Sequence, residues 1–259
     1  MSTVSEYAII DPSAKIAADV NIGPWSKIGP NVKILSGTTI GSHVVIKENT
    51  TIGKNNIIHP FSSVGGDPQT KDYKHDQTFL EIGDSNVIHE YVTINRGDIC
   101  GKGITKIGSN NLFMAGVHIA HDCIVSNDCI FVNNAAIAGH VEVNENAVLG
   151  AYCAVHQLCK IGSHSFLGRG AMVSQDVMPY TMVVGNPPSV NGINKIGLAR
   201  RGFSKDSINE IMQCYKIIFR SNMTSIEAIA EITSVFPACD NHIQIIIDMI
   251  SSSSRGVVR

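Results

Sequence analysis

A six-residue beat of apolar side chains constrains this chain more than any other feature. Ile10, Ile16, Ile22, Ile28, Ile34, Ile40, Ile46, Ile52, Ile58 and Val64 follow one another at intervals of six. The beat returns at Ile82, Ile88 and Ile94. It returns again from Ile107 through Phe113, Ile119, Val125, Phe131, Ile137, Val143, Leu149, Val155, Ile161 and Leu167 to Val173, making 25 positions in three phased runs. A period of six matches neither the 3.6-residue turn of an α-helix nor the two-residue alternation of a long strand. It matches a chain that turns a corner after each short strand, so that three hexads close one triangular coil of about 18 residues, the hexapeptide β-helix. Stacked coils then lie ~4.8 Å apart, as neighbouring strands do. Gly23, Gly29, Gly41 and Gly53 directly follow repeat residues, where corner dihedrals favour glycine. Ala14, Val20, Val32, Thr38 and Val44, all small or β-branched, come four places after one. Cys123, Cys129, Cys153 and Cys159 hold that same fourth place, which makes them core fillers rather than metal ligands.

Two polar breaks interrupt the beat, from Gly65 to Glu81 and from Asn95 to Lys106. Loops that leave a rigid scaffold are where ligand contacts gather. After Val173 the hexads stop, and Pro179, Pro187 and Pro188 mark an exit. Ser204 then caps a helix through Arg220, with Ile208, Ile211, Met212, Tyr215, Ile218 and Phe219 at helical spacing. Thr224-Ser225-Ile226-Glu227 is a capping box for a second helix, and Asp240 to Ser252 reads as a third. The expected architecture is mainly β: a parallel β-helix over residues 1–186 and a small helical domain over 187–259.

Composition narrows the function. Charged residues are 16% and the net charge is −2, so a broad basic face for nucleic acid is not expected. No apolar run reaches the ~18 residues of a membrane span; Ile243 to Ile250 is short and contains Asp248. Glu6 and Asp11 stand where a signal peptide needs apolar residues. Seven cysteines without a C-x-x-C pair disfavour a disulfide framework or structural zinc. These features read as a cytosolic protein with no membrane insertion. The chain contains no G-x-S-x-G or Walker A motif, and Gly101-Lys102-Gly103 lacks the Ser or Thr of a P-loop.

Nine of the ten histidines lie between residues 43 and 164. His43, His59, His75, His89 and His164 read as structural. His118, His121, His140 and His156 do not, because the 18-residue register places Gly139 one coil above His121, with His140 beside it and His156 on the same edge. Such a column suits general-base chemistry, since an unperturbed histidine titrates at ~6.5. Asp122 is placed to orient His121, and the Gly139 N–H to receive an oxyanion. A base and an oxyanion donor without a nucleophilic Ser or Cys describe direct acyl transfer to a bound hydroxyl.

The chain also resembles the acyl-carrier-protein–UDP-N-acetylglucosamine O-acyltransferases that open lipid A biosynthesis. The likeness rests on Gly65-Gly66-Asp67-Pro68-Gln69, His118-Ile119-Ala120-His121-Asp122-Cys123, Ala138-Gly139-His140-Val141, Ala154-Val155-His156-Gln157, Gln175-Asp176-Val177, Val184-Gly185-Asn186 and Arg200-Arg201-Gly202-Phe203-Ser204. It spans nearly the whole chain. It implies a left-handed β-helix, a homotrimer with active sites between neighbouring prisms, an acyl carrier protein as donor, and no metal or cofactor. It implies that His121 deprotonates the sugar 3-hydroxyl, with Asp122 orienting it and Gly139 holding the oxyanion. His118, His140, His156 and Gln157 would contact the sugar diphosphate or position the acyl chain, and Gln69 the acceptor. Asn194, Arg200 and Arg201 would hold the uridine diphosphate end, where arginine's planar fork suits phosphate. Lys205, Lys216 and Arg220 are candidates for meeting the acidic carrier.

The departures matter equally. Thr70 stands where that family has an acceptor-binding Asp, and Asp72 where it has Lys. Ile196 replaces a nucleobase-contacting Glu. Arg169 stands where a small residue floors the acyl groove, so a shorter acyl group is expected. Three other readings compete. One is a γ-carbonic-anhydrase-like zinc enzyme using His118, His121 and a neighbour's histidine, for which the Arg200–Ser204 segment and helical tail have no use. Another is a related acyltransferase with an amino sugar nucleotide as acceptor. The third is a silent paralogue that binds carrier without turnover.

Overall fold

The computed structural model describes residues 3–74 and 76–259; His75 lies outside the described residues. Short strands, mostly of two residues, form three flat sheets that meet as a triangular prism, a left-handed parallel β-helix. The first face runs from Ile9–Ile10 to Met172–Val173, and the second from Lys15–Ile16 to Lys160–Ile161. The third runs from Asn21–Ile22 to Phe166–Leu167, adds Thr181–Val184, and ends in the antiparallel Ser189–Ile193. The boundary expected at 186/187 lies in the turn of that last hairpin.

Register explains the beat. Ile28 pairs with Ile46, Ile119 with Ile137 and Phe131 with Leu149, each 18 residues on. Across the two breaks the step lengthens, with Ser63 opposite Thr93 and Thr93 opposite His118. The extra residues are therefore taken up at corners, with one irregularity of register between Val64 and Gly66. Repeat side chains fill the prism: Ile28, Ile34, Ile46, Ile88, Phe113 and Phe131 are all but fully buried. Cys123, Cys129, Cys153 and Cys159 lie in the same core as the sequence implied. Burial pushes the first three thiols up to about 12 and Cys159 to about 11. A buried thiol kept neutral behaves as a small hydrophobe.

The glycines have a different cause from the one expected. Gly23, Gly29, Gly41 and Gly53 do not have positive φ. They are required because coils approach closely: a Cβ at Gly23 would lie 2.7 Å from the Gly41 carbonyl carbon and the Ser42 nitrogen. The left-handed corner position falls elsewhere. It is held by Asn31, Asn49, Asn55, Asn110, Asn134 and Asn146, but also by Trp25, His43, Phe61, Tyr91 and His140. For such bulky residues this conformation is unfavourable. Between the third and first faces, stacking helps to offset it. Tyr7, Trp25, His43, Phe61 and Tyr91 form a column with successive ring centroids 5.9, 5.0, 5.1 and 5.4 Å apart. Between the second and third faces an internal amide ladder runs through the core. Asn86 Nδ2 donates to Asn56 Oδ1 at 3.0 Å, and the N–H groups of Asn111 and Cys129 donate to Asn86 and Asn111 in turn.

Four helices follow: α1 (Lys195–Arg200), α2 (Lys205–Arg220), α3 (Ser225–Val235) and α4 (Asn241–Ser252). Ser204 caps α2 by accepting from Ser207 N–H, and Thr224 and Glu227 make the reciprocal capping box of α3. Helix α1, capped by Asn194, was not legible in the sequence pattern. Leu198, Ile211, Tyr215, Ile232 and Ile246 pack with Tyr180 into a second core. Because the clash at Gly23 is with backbone, Gly23→Ala is expected to lower stability by about 1–3 kcal/mol in thermal or denaturant unfolding.

Candidate active site

The corner between the first and second faces gathers nearly everything polar and unusual. Both breaks leave the prism there, the first between Ser63–Gly66 and Phe79–Ile82, the second between Thr93–Asn95 and Ile104–Ile107. The next two coils bring His121-Asp122 and Gly139-His140 to the same edge. The predicted register holds, since His140 N–H donates to the His121 carbonyl and Leu158 N–H to that of Gly139.

Asp122 is fully buried, and its carboxylate accepts three N–H groups. These are His121 Nδ1 at 2.8 Å, the backbone of Lys102 at 2.8 Å and the backbone of Asp98 at 2.9 Å. Its own N–H donates to Thr105 Oγ1 at 2.8 Å. His121 is therefore held by Nδ1, which fixes the tautomer and leaves Nε2 able to accept a proton. Gly139 lies against that free end. A Cβ there would sit 2.7 Å from His121 Nε2 and Cε1, and the Gly139 N–H has no partner among the described residues. His140 meets the His121 ring edge-on, with centroids 5.1 Å apart. A cleft of roughly 260 Å³ opens over these groups, walled by Thr70, Lys71, Asp72, Asp98, Cys100, Gly101, His121 and His140. The arrangement supplies one oriented base, one unobstructed backbone donor and room for a reacting group between them.

The other candidates divide among the three corners. His118, on the first face, shares a 2.7 Å hydrogen bond with the Thr93 hydroxyl; burial lowers its proton affinity, so it is neutral at neutral pH. His156 and Gln157 continue the edge one coil beyond Gly139, exposed, with His156 Nδ1 3.3 Å from Arg255. Gln69 is exposed on the first loop. Asn194, Arg200 and Arg201 lie elsewhere, on the side of the second–third corner. Asn194 caps α1 and donates to the His164 carbonyl, while burial and the Arg201 charge push His164 down to about 4. Arg169 is at the third–first corner, between Phe166–Leu167 and Met172–Val173. One chain thus brings together His121, Asp122 and Gly139, but not Asn194, Arg200, Arg201 or Arg169.

Asp98, Arg96 and Arg255 were not singled out from the sequence, and Thr70 was noted only as a departure. Thr70 is not remote from a carboxylate, because its hydroxyl donates to Asp98 Oδ2 at 2.9 Å. Arg96, almost fully buried, ties the first loop down through Glu48 at 2.7 Å, Asp67 at 2.6 Å, the Tyr73 hydroxyl at 2.9 Å and the Gly65 carbonyl at 3.1 Å. Arg255 returns from the C-terminal segment to the Ser174 carbonyl. The available signal for Asp98 and Arg96 was their place in a break of the repeat; the distance along the chain hid their partners.

A hexapeptide-repeat prism with a base–carboxylate pair and a facing glycine N–H at one corner defines an acyltransferase of the β-helix class. A family profile described as UDP N-acetylglucosamine O-acyltransferase, domain 2, matches residues 176–258, and a hexapeptide transferase profile matches residues 31–66. Over 262 aligned residues the chain is 50% identical to the acyl-[acyl-carrier-protein]–UDP-N-acetylglucosamine O-acyltransferase of Pseudomonas paraeruginosa, covering 100% of both. It superposes on LpxA of Acinetobacter baumannii with a TM-score of 0.97 and 45% identity, over 99% of each chain. The UDP-N-acetylglucosamine O-acyltransferase of Moraxella catarrhalis gives 0.97 and 43%, again over 99% of each. The chain belongs to the UDP-N-acetylglucosamine O-acyltransferase family. This membership sets aside the zinc-hydrase reading. No helix among the described residues is long and apolar enough to cross a membrane.

Removing Arg96 leaves Glu48 and Asp67 facing each other without their cation. Arg96→Met is expected to cost about 1–3 kcal/mol and to open the first loop to limited proteolysis before the prism unfolds.

Proposed function

We propose that this chain transfers a (3-hydroxy)acyl group from acyl carrier protein to the 3-hydroxyl of UDP-N-acetylglucosamine, the first step of lipid A biosynthesis. The observation that carries the mechanism is His121, held at Nδ1 by buried Asp122 with Gly139 against its free Nε2. Nε2 takes the proton of the sugar hydroxyl as its oxygen attacks the thioester carbonyl. The resulting oxyanion accepts the Gly139 N–H. When the tetrahedral intermediate collapses, the C–S bond breaks, the ester forms, and the imidazolium returns its proton to the departing thiolate. Asp122 stabilises that imidazolium and keeps Nε2 as the reacting nitrogen. No covalent enzyme intermediate or cofactor is needed.

Gln69, His140, His156 and Gln157 share the edge with the base, and His118 lies beside it on the first face, which supports their roles along the sugar, the diphosphate and the acyl chain. Asn194, Arg200 and Arg201 lie at another corner and serve a neighbour's cleft in a homotrimer. The outward side chains support that assembly. Those of the second face include Lys15, Lys33, Glu81, Lys106, Glu142 and Lys160, whereas the third face presents Ile57, Val87, Leu112, Ile130, Val148 and Phe166. A run of apolar side chains of that length on an exposed face marks an association surface. Arg169, at the border of that face, is placed to limit acyl length once subunits meet. A cytosolic location accords with seven unpaired thiols.

Purified protein incubated with a graded set of acyl and 3-hydroxyacyl carrier proteins and UDP-N-acetylglucosamine is expected to yield the acylated sugar nucleotide by mass spectrometry. His121→Ala should lower turnover 10²–10⁴-fold, and Gly139→Ala, which displaces the ring, about 10²-fold. Product from the 3-amino analogue alone would replace the acceptor; undiminished turnover in His121→Ala would overturn the mechanism. Ile130→Glu should convert the assembly from three times 27.8 kDa towards a single chain in light scattering.

A further inference from the structure

One buried charged group of the cleft has no part in the transfer as described. Asp98 is only 7% exposed yet lines the cleft beside His121. Its Oδ2 accepts the Thr70 hydroxyl at 2.9 Å and its Oδ1 the Cys100 N–H at 3.0 Å, while its own N–H donates to Asp122 Oδ2 at 2.9 Å. The Asp98 carbonyl also receives the N–H groups of Gly101 and Gly103, which closes the second loop around it. The first loop, the second loop and the catalytic pair are thus joined in one chain of contacts, from Thr70 through Asp98 and Asp122 to His121.

The charges around His121 can be named. Asp122 comes from its own corner and His140 from the next; Asp98 and Cys100 come from the second loop, and Lys71 and Asp72 from the first. Lys71 and Asp72 are adjacent, exposed and opposite in sign, so their fields largely cancel. Asp98 is buried. The Cys100 N–H above all, then the Thr70 hydroxyl and the His121 ring, hold its carboxyl below the usual carboxylate range, so it is an anion at neutral pH.

We propose that Asp98 is a positioning residue for the transfer. It braces both insertion loops against the His121–Asp122 pair and supplies a second negative charge for the imidazolium that forms when His121 takes the acceptor's proton. This rests on the acyl-transfer reading of His121. An opposite charge in a cleft screened from water stabilises the protonated ring and, with it, the transition state.

The test follows the His121 ring by NMR titration in protein ¹³C-labelled at histidine, using the intact chain, alongside the pH profile of kcat/KM. Asp98→Asn should lower the titration midpoint of His121 by about half a pH unit, moving the acidic limb of kcat/KM to lower pH, and should reduce kcat about tenfold. Thr70→Ala keeps the charge and removes the brace; it should raise KM for the acceptor without moving the midpoint. Asp98→Glu should restore the midpoint, and should the asparagine variant fold poorly, Asp98→Ser removes the same charge and is read in the same way. An unmoved midpoint in Asp98→Asn, or an equal shift in Thr70→Ala, would overturn the proposal. Undiminished activity in His121→Ala would instead remove the base, and the NMR titration would still report on Asp98.

Discussion

Everything in this molecule depends on the contact between one coil and the next. Strands of two residues are too short to hold a register alone, and a lone hexad cannot bury its isoleucine. Stacking supplies both: strand N–H groups find carbonyls of the neighbouring coil, and outside the two breaks each repeat side chain lies on its counterpart 18 residues away. The repeat is therefore a one-dimensional crystal in which each layer is stabilised mainly by its two neighbours. The glycines without Cβ, the asparagine ladder and the small fourth-position residues all serve that spacing.

This scaffold makes a reactive corner with little local invention. His121, Gly139 and Gln157 occupy equivalent positions in consecutive coils, so the His121 imidazole and the Gly139 N–H are set apart by the stacking distance itself. The two loops supply what a repeat cannot: a wall, a buried aspartate and an arginine anchor. Because their extra residues are inserted at corners, the chemistry varies there while the strands keep step.

The fold and the His121–Asp122–Gly139 set were legible because both lie on the 18-residue period. What was missed lies off it. Asp98 meets Thr70 and Asp122 across 28 and 24 residues, spacings that belong to the breaks rather than to the repeat. Arg96 finds its partners in the same irregular stretch. The reason for Gly23 was misjudged because a glycine needed for close approach and one needed for a turn look alike in one dimension; only the stacked coil distinguishes them. The uridine diphosphate roles of Asn194, Arg200 and Arg201 came from resemblance alone, since within one chain they lie at a different corner from His121.

The aromatic column has a consequence for observation. Trp25 is the chain's single tryptophan, and it is stacked between Tyr7 and His43 at the third–first corner, 59% exposed in the isolated chain. The His121 edge is a different corner of the prism and contains no indole. Tryptophan fluorescence in this protein is thus an optical gauge of the aromatic seam, sensitive to whatever covers or wets it, and silent about the His121 edge one corner away.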